Sequence, residues 1–119
     1  GKELEWIFLN GMNNVSKRIS SLYLRLTTSR LNQDLFNEYN NKKNMNSLRQ
    51  EVINGAYLFN TNISEGSSQY KVNLFSMGAM FSEVVEAQKE LLKEGISSNL
   101  INITGPGPLY RNFHNNLVR

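Results

Sequence analysis

A strand–helix–strand pattern between residues 70 and 104 constrains the fold of this 119-residue chain more than any other feature. Residues 70–76 alternate in polarity, with Val72, Leu74 and Ser76 on one face of a predicted strand. Residues 79–94 carry a wide apolar arc at helical spacing, and Gly95 can end that helix in a left-handed conformation. Residues 100–104 form a second apolar strand. Two short strands joined by one helix predict parallel pairing through a right-handed crossover, and therefore an α/β fold.

The upstream half predicts further elements with less regular spacing. Leu4, Ile7, Phe8 and Met12 recur at helical spacing, and residues 22–28 are rich in strand-forming residues. Residues 30–46 are polar and rich in asparagine, which indicates a long connector. A short helix over residues 48–54 is expected to stop at Gly55, followed by a strand over residues 56–59.

Composition excludes several classes of function. The chain has no cysteine, which removes disulfides, thiolate metal ligands and a cysteine nucleophile, and fits a cytoplasmic location. Its net charge is +3 with both signs interspersed, so the basic stripe of a nucleic-acid-binding protein is missing. No apolar run approaches the ~20 residues that a membrane-spanning helix requires. Neither nucleic acid nor a membrane is an expected partner.

Four features are candidate sites, and each has a simpler structural explanation. Gly78 follows the first strand of the crossover but lacks a phosphate-loop pattern, so a tight strand-to-helix turn is favoured. Residues 105–108, Gly-Pro-Gly-Pro, are interpreted as a turn with Pro108 in the first turn of a helix. His114 has no second histidine or cysteine to share a metal. Glu83 and Glu86 suit the first half of a helix, where Glu86 can pair with Lys89.

The order of these elements resembles a known family. Residues 70–87, with Gly78 at the turn and Glu83 in the following helix, resemble the C-terminal domain of transketolase-like thiamine-diphosphate enzymes. The continuation through residues 91–96 and 99–104 is similar to the same domain. Residues 23–28, Tyr-Leu-Arg-Leu-Thr-Thr, and residues 48–59 are similar to the single-chain pyruvate dehydrogenase decarboxylating component. Each motif is weak alone, and their order and separation carry the resemblance.

The resemblance implies a three-layer α/β/α fold with a mainly parallel sheet, present here incompletely. It divides the chain into residues 1–30, the tail of a pyrimidine-binding domain, residues 31–47, a connector, and residues 48–119, a partial C-terminal domain. It implies oxidative decarboxylation of pyruvate or a related 2-oxo acid in the full enzyme, with thiamine diphosphate and magnesium bound by other domains. The implied partners are the rest of the enzyme, a second subunit in a homodimer, and an acyltransferase component of a multienzyme complex.

Two alternatives remain open at this point. Transketolases carry a Ser-Arg pair near this point whose arginine contacts a substrate phosphate, and Ser29-Arg30 stands at a similar place. Arg30 is therefore a candidate substrate-binding residue if the chain is transketolase-like, and otherwise an ordinary surface arginine. The second alternative is a stand-alone α/β interaction module whose apolar helix arc, over residues 80–92, docks a partner. A reading frame of several hundred codons would favour an enzyme over such a module.

Overall fold

Four α-helices and a three-stranded sheet make up the described part of the chain. The computed structural model describes residues 2–18, 21–26, 34, 44–63 and 70–117. In chain order the elements are α1 (Lys2–Ser16), α2 (Met45–Asn54), β1 (Ala56–Thr61), β2 (Tyr70–Met77), a 3₁₀ turn (Gly78–Met80), α3 (Phe81–Lys93), β3 (Ile96–Ile103) and α4 (Pro106–Leu117). The expected α/β class is confirmed. No helix in these ranges has the length and apolar character needed to cross a membrane.

The sheet has the strand order β1–β3–β2 and is mixed. β2 and β3 pair in parallel from Tyr70 opposite Ile96 to Met77 opposite Ile103, which confirms the predicted crossover through α3. β1 pairs with the other edge of β3 and runs antiparallel to it. The expectation of a mainly parallel sheet therefore holds for one of the two strand pairs. β3 is the central strand, and its Leu100 is completely buried.

One face of the sheet carries helices α1, α2 and α3. Tyr57 stands opposite Asn102 and joins a hydrophobic cluster with Trp6 of α1 and with Leu48 and Val52 of α2. On the same face, Asn60 stands opposite Leu100 and donates a hydrogen bond to Gln88 of α3. A β-bulge between Leu58 and Asn60 inserts Phe59, whose ring meets Phe81 of α3 edge-on at 4.8 Å. The three helices thus share one core over one sheet face.

The opposite face is uncovered by these helices, and we call it the open face. Side chains alternate along strands, so residues opposite one another in the register point to the same side. Phe75 and Met77 of β2 are 60% and 56% exposed there, and Leu58 of β1 is 41% exposed. The apolar members of the open face are Leu58, Phe75, Met77, Ile101 and Ile103.

Helix α3 follows from its sequence pattern. Val85 and Gln88 are its buried residues, while Glu86 pairs with Lys89 at 2.9 Å and Glu90 with Lys93 at 2.7 Å on the solvent side. The pair between Glu86 and Lys89 is expected from the sequence, and Glu90 and Lys93 have the same i, i+3 spacing. They are exposed, so each contributes at most a few tenths of a kcal/mol, about the size found for surface pairs. Packing of the buried stripe on the sheet holds the helix in place.

The junction at Gly55 ties α2, β3 and α4 together. Gly55 ends α2 with φ of +113°, and its carbonyl oxygen accepts hydrogen bonds from the backbone N–H groups of Thr104 and Gly105. The Thr104 hydroxyl donates to the Val52 carbonyl at 2.6 Å. Helix α4 begins directly afterwards, with Pro108 in its first turn as expected.

Three sequence expectations differ from the structure. Residues 21–26 form no strand; instead Leu22 packs on Gly11 of α1, so closely that a methyl group on Gly11 would meet Leu22 Cδ1 at 2.5 Å. Thr27 and Thr28 lie outside the described residues. β3 begins at Ile96 and not at Leu100, because the polar residues 97–99 all pair with β2, and Asn99 also pairs with Thr61 of β1. Helix α2 begins at Met45, where the Asn44 side chain caps it.

Candidate functional site

A buried polar network lies where the carboxyl ends of β2 and β3 meet. Ser76 is the penultimate residue of β2, Asn102 is the penultimate residue of β3, and Tyr57 stands at the start of antiparallel β1. Glu3, in the first turn of α1, reaches this group from above the sheet. The carboxyl ends of parallel strands are a common ligand position in α/β folds, which makes this the candidate site.

The four side chains form one continuous hydrogen-bonded chain. The Ser76 hydroxyl donates to Asn102 Oδ1 at 2.9 Å, and Asn102 Nδ2 donates to the Tyr57 hydroxyl at 3.3 Å and to Glu3 Oε2 at 3.4 Å. The Tyr57 hydroxyl in turn donates to Glu3 Oε1 at 2.9 Å. Each of the four side chains is hydrogen-bonded to at least one of the other three. The network therefore satisfies polar groups that burial would otherwise leave unpaired.

Burial determines the electrostatics of this site. Tyr57, Ser76 and Asn102 are only 3–6% exposed. Burial raises the pKa of the Glu3 carboxyl above its ordinary value, and the hydrogen bond from Tyr57 opposes this rise without cancelling it. The desolvated Glu3 carboxyl therefore holds a proton to a higher pH than a fully solvated glutamate side chain.

A second polar contact joins α3 to β3. Gln88 Nε2 donates to the Ser98 carbonyl at 3.2 Å, and its Oε1 accepts from Asn60. The Ser98 backbone N–H donates to Asn62 Oδ1 at 2.6 Å. The Ser98 hydroxyl is buried and has no hydrogen-bond partner among the described residues. The contacts of Gln88 fix the position of α3 on the sheet.

The side chains of the network are suited to hold helix α1 on the sheet. Within the described ranges, the Tyr57 and Ser76 hydroxyls are hydrogen-bonded to Glu3 and Asn102, a carboxyl and an amide. In contrast, nucleophilic catalysis by a hydroxyl uses a base such as histidine or lysine. Among the described ranges, no group of three or more His, Asp or Glu residues could hold a metal ion. One carboxylate with two hydroxyls and an amide does not fit Mg²⁺ and a diphosphate, which call for several oxygen ligands and phosphate donors. We therefore derive no step through thiamine diphosphate or magnesium at these residues.

The candidate site residues named from the sequence do not lie at this network. Arg30, the candidate substrate-binding arginine, lies outside the described residues. Gly78 has φ of +62° with open space around it, as the strand-to-helix turn requires. His114 is exposed and stacks on Tyr110, with ring centroids 5.4 Å apart. Of residues 105–108, Gly105 precedes α4 and lies against Gly55, and the other three residues form the first turn of the helix.

Comparison with known proteins adds no identification. No protein-family model matches the chain, and no curated protein matches it significantly. The site is therefore interpreted from its own geometry.

Proposed function

We propose that this chain is a structural region of a thiamine-diphosphate-dependent 2-oxo acid dehydrogenase, the component that decarboxylates pyruvate. The observation that carries the proposal is the β2–α3–β3 crossover, with Gly78 at its turn and Gly95 before β3. That unit forms at the residues on which the family resemblance rests. Its geometry is common to many α/β proteins, so the family assignment depends on the resemblance as well as on the fold.

In this proposal the chain supports the catalytic domains. The network of Glu3, Tyr57, Ser76 and Asn102 is buried and hydrogen-bonded internally, which suits a group that fixes α1 on the sheet. Thiamine diphosphate, bound elsewhere in the enzyme, supplies the ylid that attacks the 2-oxo acid. The residues described here hold the fold on which those domains rest.

The open face supports the three-layer arrangement. A sheet face with exposed Phe75 and Met77 is stabilised when another layer covers it. In the proposal a second helical layer lies there, and the assembled enzyme is a homodimer that delivers its product to an acyltransferase component. The cytoplasm is the proposed location of that complex.

The test compares the full reading frame with the isolated 119-residue chain. We expect the full protein to decarboxylate pyruvate only when thiamine diphosphate and magnesium are added. Calorimetry on the isolated chain should give no thiamine-diphosphate binding tighter than ~1 mM. Tight binding by the isolated chain would contradict the domain assignment, and a full protein inactive on every 2-oxo acid would contradict the function.

Arg30 separates this proposal from transketolase, the nearest alternative. If the enzyme acts on sugar phosphates, replacement of Arg30 by Gln in the full protein should raise KM strongly. For a pyruvate-specific enzyme the same replacement should leave KM for pyruvate within about twofold.

An interaction module is the second candidate function, and the open face favours it. The arc on residues 80–92 is a poor docking surface, because Val85 is buried on the sheet and Phe81 packs on Phe59. The apolar residues of the open face would serve instead. A reading frame of about 119 codons would favour this module, whereas one of several hundred would favour the enzyme.

A further inference from the structure

Large apolar side chains are exposed on several parts of the described chain, including Phe8 and Met12 of α1, and two of the exposed surfaces match each other. The first is the open face of the sheet. The second is a stripe on helix α4, where Tyr110, Phe113 and Leu117 are 62–65% exposed. Their spacing of i, i+3 and i+7 puts them on one side of the helix over two turns. We call these three residues the α4 stripe.

The two surfaces match in size. The α4 stripe extends over about 10 Å, since seven residues of helix rise ~1.5 Å each. The apolar part of the open face spans three strands, or about 10 Å at ~4.8 Å between neighbours. A helix has a diameter of about 10 Å, so one helix with one apolar side covers such a patch.

Among the described residues, helix α4 is anchored by residues that lie outside the stripe. Leu109 contacts Gly55, and Asn112 donates to the Asn54 carbonyl at 3.3 Å. These contacts anchor α4 to the end of α2. The stripe stays exposed beside them.

We propose that a second copy of this chain covers both surfaces, with the α4 stripe of each copy lying on the open face of the other. Reciprocal docking about a two-fold axis closes the assembly after two copies. The inference rests on the homodimer and the second helical layer of the proposed function, and it names the segment that forms that layer.

The exposed area argues for a second copy. The six large side chains concerned are Leu58, Phe75, Met77, Tyr110, Phe113 and Leu117. Each exposes on the order of 100 Å², given the size of such side chains. Reciprocal docking would bury both surfaces of each copy, a total of about 600 Å², which approaches the ~800 Å² per partner of a standard interface.

The charges are compatible with this arrangement. Lys71 is the charged residue of the open-face side of β2, and it lies six residues from Met77. That separation is about 20 Å along a strand, so Arg111 of an incoming α4 need not approach Lys71. The apolar half of the open face presents no charge to the helix.

Sedimentation of the 119-residue chain tests the proposal with two charge variants. We expect the wild type to be a dimer at micromolar concentration. Phe75→Glu on the open face and Phe113→Lys on α4 should each weaken dimerisation at least tenfold. Met12→Lys, on the exposed side of α1 and outside both surfaces, is the matched control and should remain dimeric. Circular dichroism should show that all variants stay folded.

Mixing the two variants distinguishes reciprocal docking from other dimers. A heterodimer of Phe75→Glu and Phe113→Lys keeps one intact helix–sheet contact and places Glu against Lys in the other. We expect mixing to restore dimers. A wild-type chain that is monomeric at 100 µM, a control that dissociates equally, or a mixture that stays monomeric would overturn the inference. Cofactor-dependent decarboxylation is measured separately on the full protein, so either proposal can fail alone.

Discussion

Glu3 is a carboxyl group held between helix α1 and the sheet, and its protonation is linked to folding. Its pKa is raised in the folded chain, so its stabilising contribution is complete at pH below the unfolded pKa. That contribution is lost as pH rises through the folded pKa. We predict that Glu3→Gln raises the free energy of unfolding relative to wild type at pH 7. Each unit of pKa shift corresponds to about 1.4 kcal/mol.

The measurement is urea unfolding between pH 4 and pH 8. The advantage of Glu3→Gln should grow as the pH rises above ~4.3, the ordinary glutamate value. Glu5→Gln is the control, because Glu5 lies on the same helix in an exposed pair with Lys2. If the stability of Glu3→Gln had the same pH dependence as that of wild type, protonation of Glu3 would not be linked to folding.

Tyr57 gives a second prediction at the same network. Tyr57→Phe removes the hydroxyl that donates to Glu3 and accepts from Asn102, leaving both without that partner in a buried site. We expect a loss of about 1–3 kcal/mol in the free energy of unfolding, the typical cost of unpaired buried polar groups. Tyr23→Phe, on an 86% exposed side chain, should change stability by less than ~0.5 kcal/mol.

The network could not be predicted from sequence because its members are far apart in the chain. Glu3 and Asn102 are 99 residues apart, and each is an ordinary polar residue in its local pattern. The one available signal was Ser76 and Asn102, polar residues near the carboxyl ends of two strands predicted to be parallel. This pattern predicts that Ser76 and Asn102 lie at one edge of the sheet. It does not predict that Glu3 of α1 contacts them.

At the scale of elements, two glycines with positive φ provide a matched comparison. A Cβ on Gly55 would clash with the Gly105 carbonyl oxygen and meet the Leu109 nitrogen at 2.9 Å, whereas one on Gly78 meets nothing within 4 Å. Gly78→Ala should therefore cost ~1–2 kcal/mol, from backbone conformation alone. Gly55→Ala should cost at least 1 kcal/mol more, since the junction must also shift.

Thermal unfolding of both variants, followed by circular dichroism, measures this difference. We expect Gly55→Ala to have a lower melting temperature than Gly78→Ala. Equal destabilisation would show that the close approach at Gly55 relaxes freely.

Elements with a regular local pattern were predicted well, and elements that depend on partners were not. Helix α3 and strand β2 carry their periodicity in sequence, and both form within a few residues of the expected bounds. Residues 22–26 have strand-forming side chains but gain no neighbouring strand, and Leu22 packs on α1. The first residues of β3 include polar side chains that do not fit the apolar pattern of a buried strand. They are nevertheless part of β3, which lies between β1 and β2 in the sheet.

At the scale of the whole molecule, Trp6 reports whether α1 and the sheet unfold together. It is the single tryptophan of the chain, 7% exposed in the cluster with Leu48, Val52 and Tyr57. We predict that its fluorescence and the far-ultraviolet circular dichroism follow one coincident urea transition, as in a cooperative domain. Two separated transitions would favour the expected boundary between residues 1–30 and residues 48–119.

The global arrangement was predictable only in part. Parallel pairing of β2 with β3 follows from the length of the helix between them. The antiparallel position of β1 cannot be predicted in this way, because nothing in residues 56–61 specifies which edge of β3 this strand joins. The placement of α1, α2 and α3 on one sheet face likewise depends on long-range packing at Trp6 and Gln88.

The bulge in β1 makes this strand sensitive to the number of its residues. In a regular strand, Asn60 would share a face with Leu58 and turn away from Gln88. The extra residue reverses the alternation, so that Tyr57 and Asn60 both face the helices. Deletion of the inserted residue Phe59 would leave Asn60 facing the helices but would remove the ring contact with Phe81. One further inserted residue in a regular strand would move Asn60 two positions along β3, away from its present contact with Gln88. An insertion or deletion in β1 would therefore be more harmful than most single substitutions.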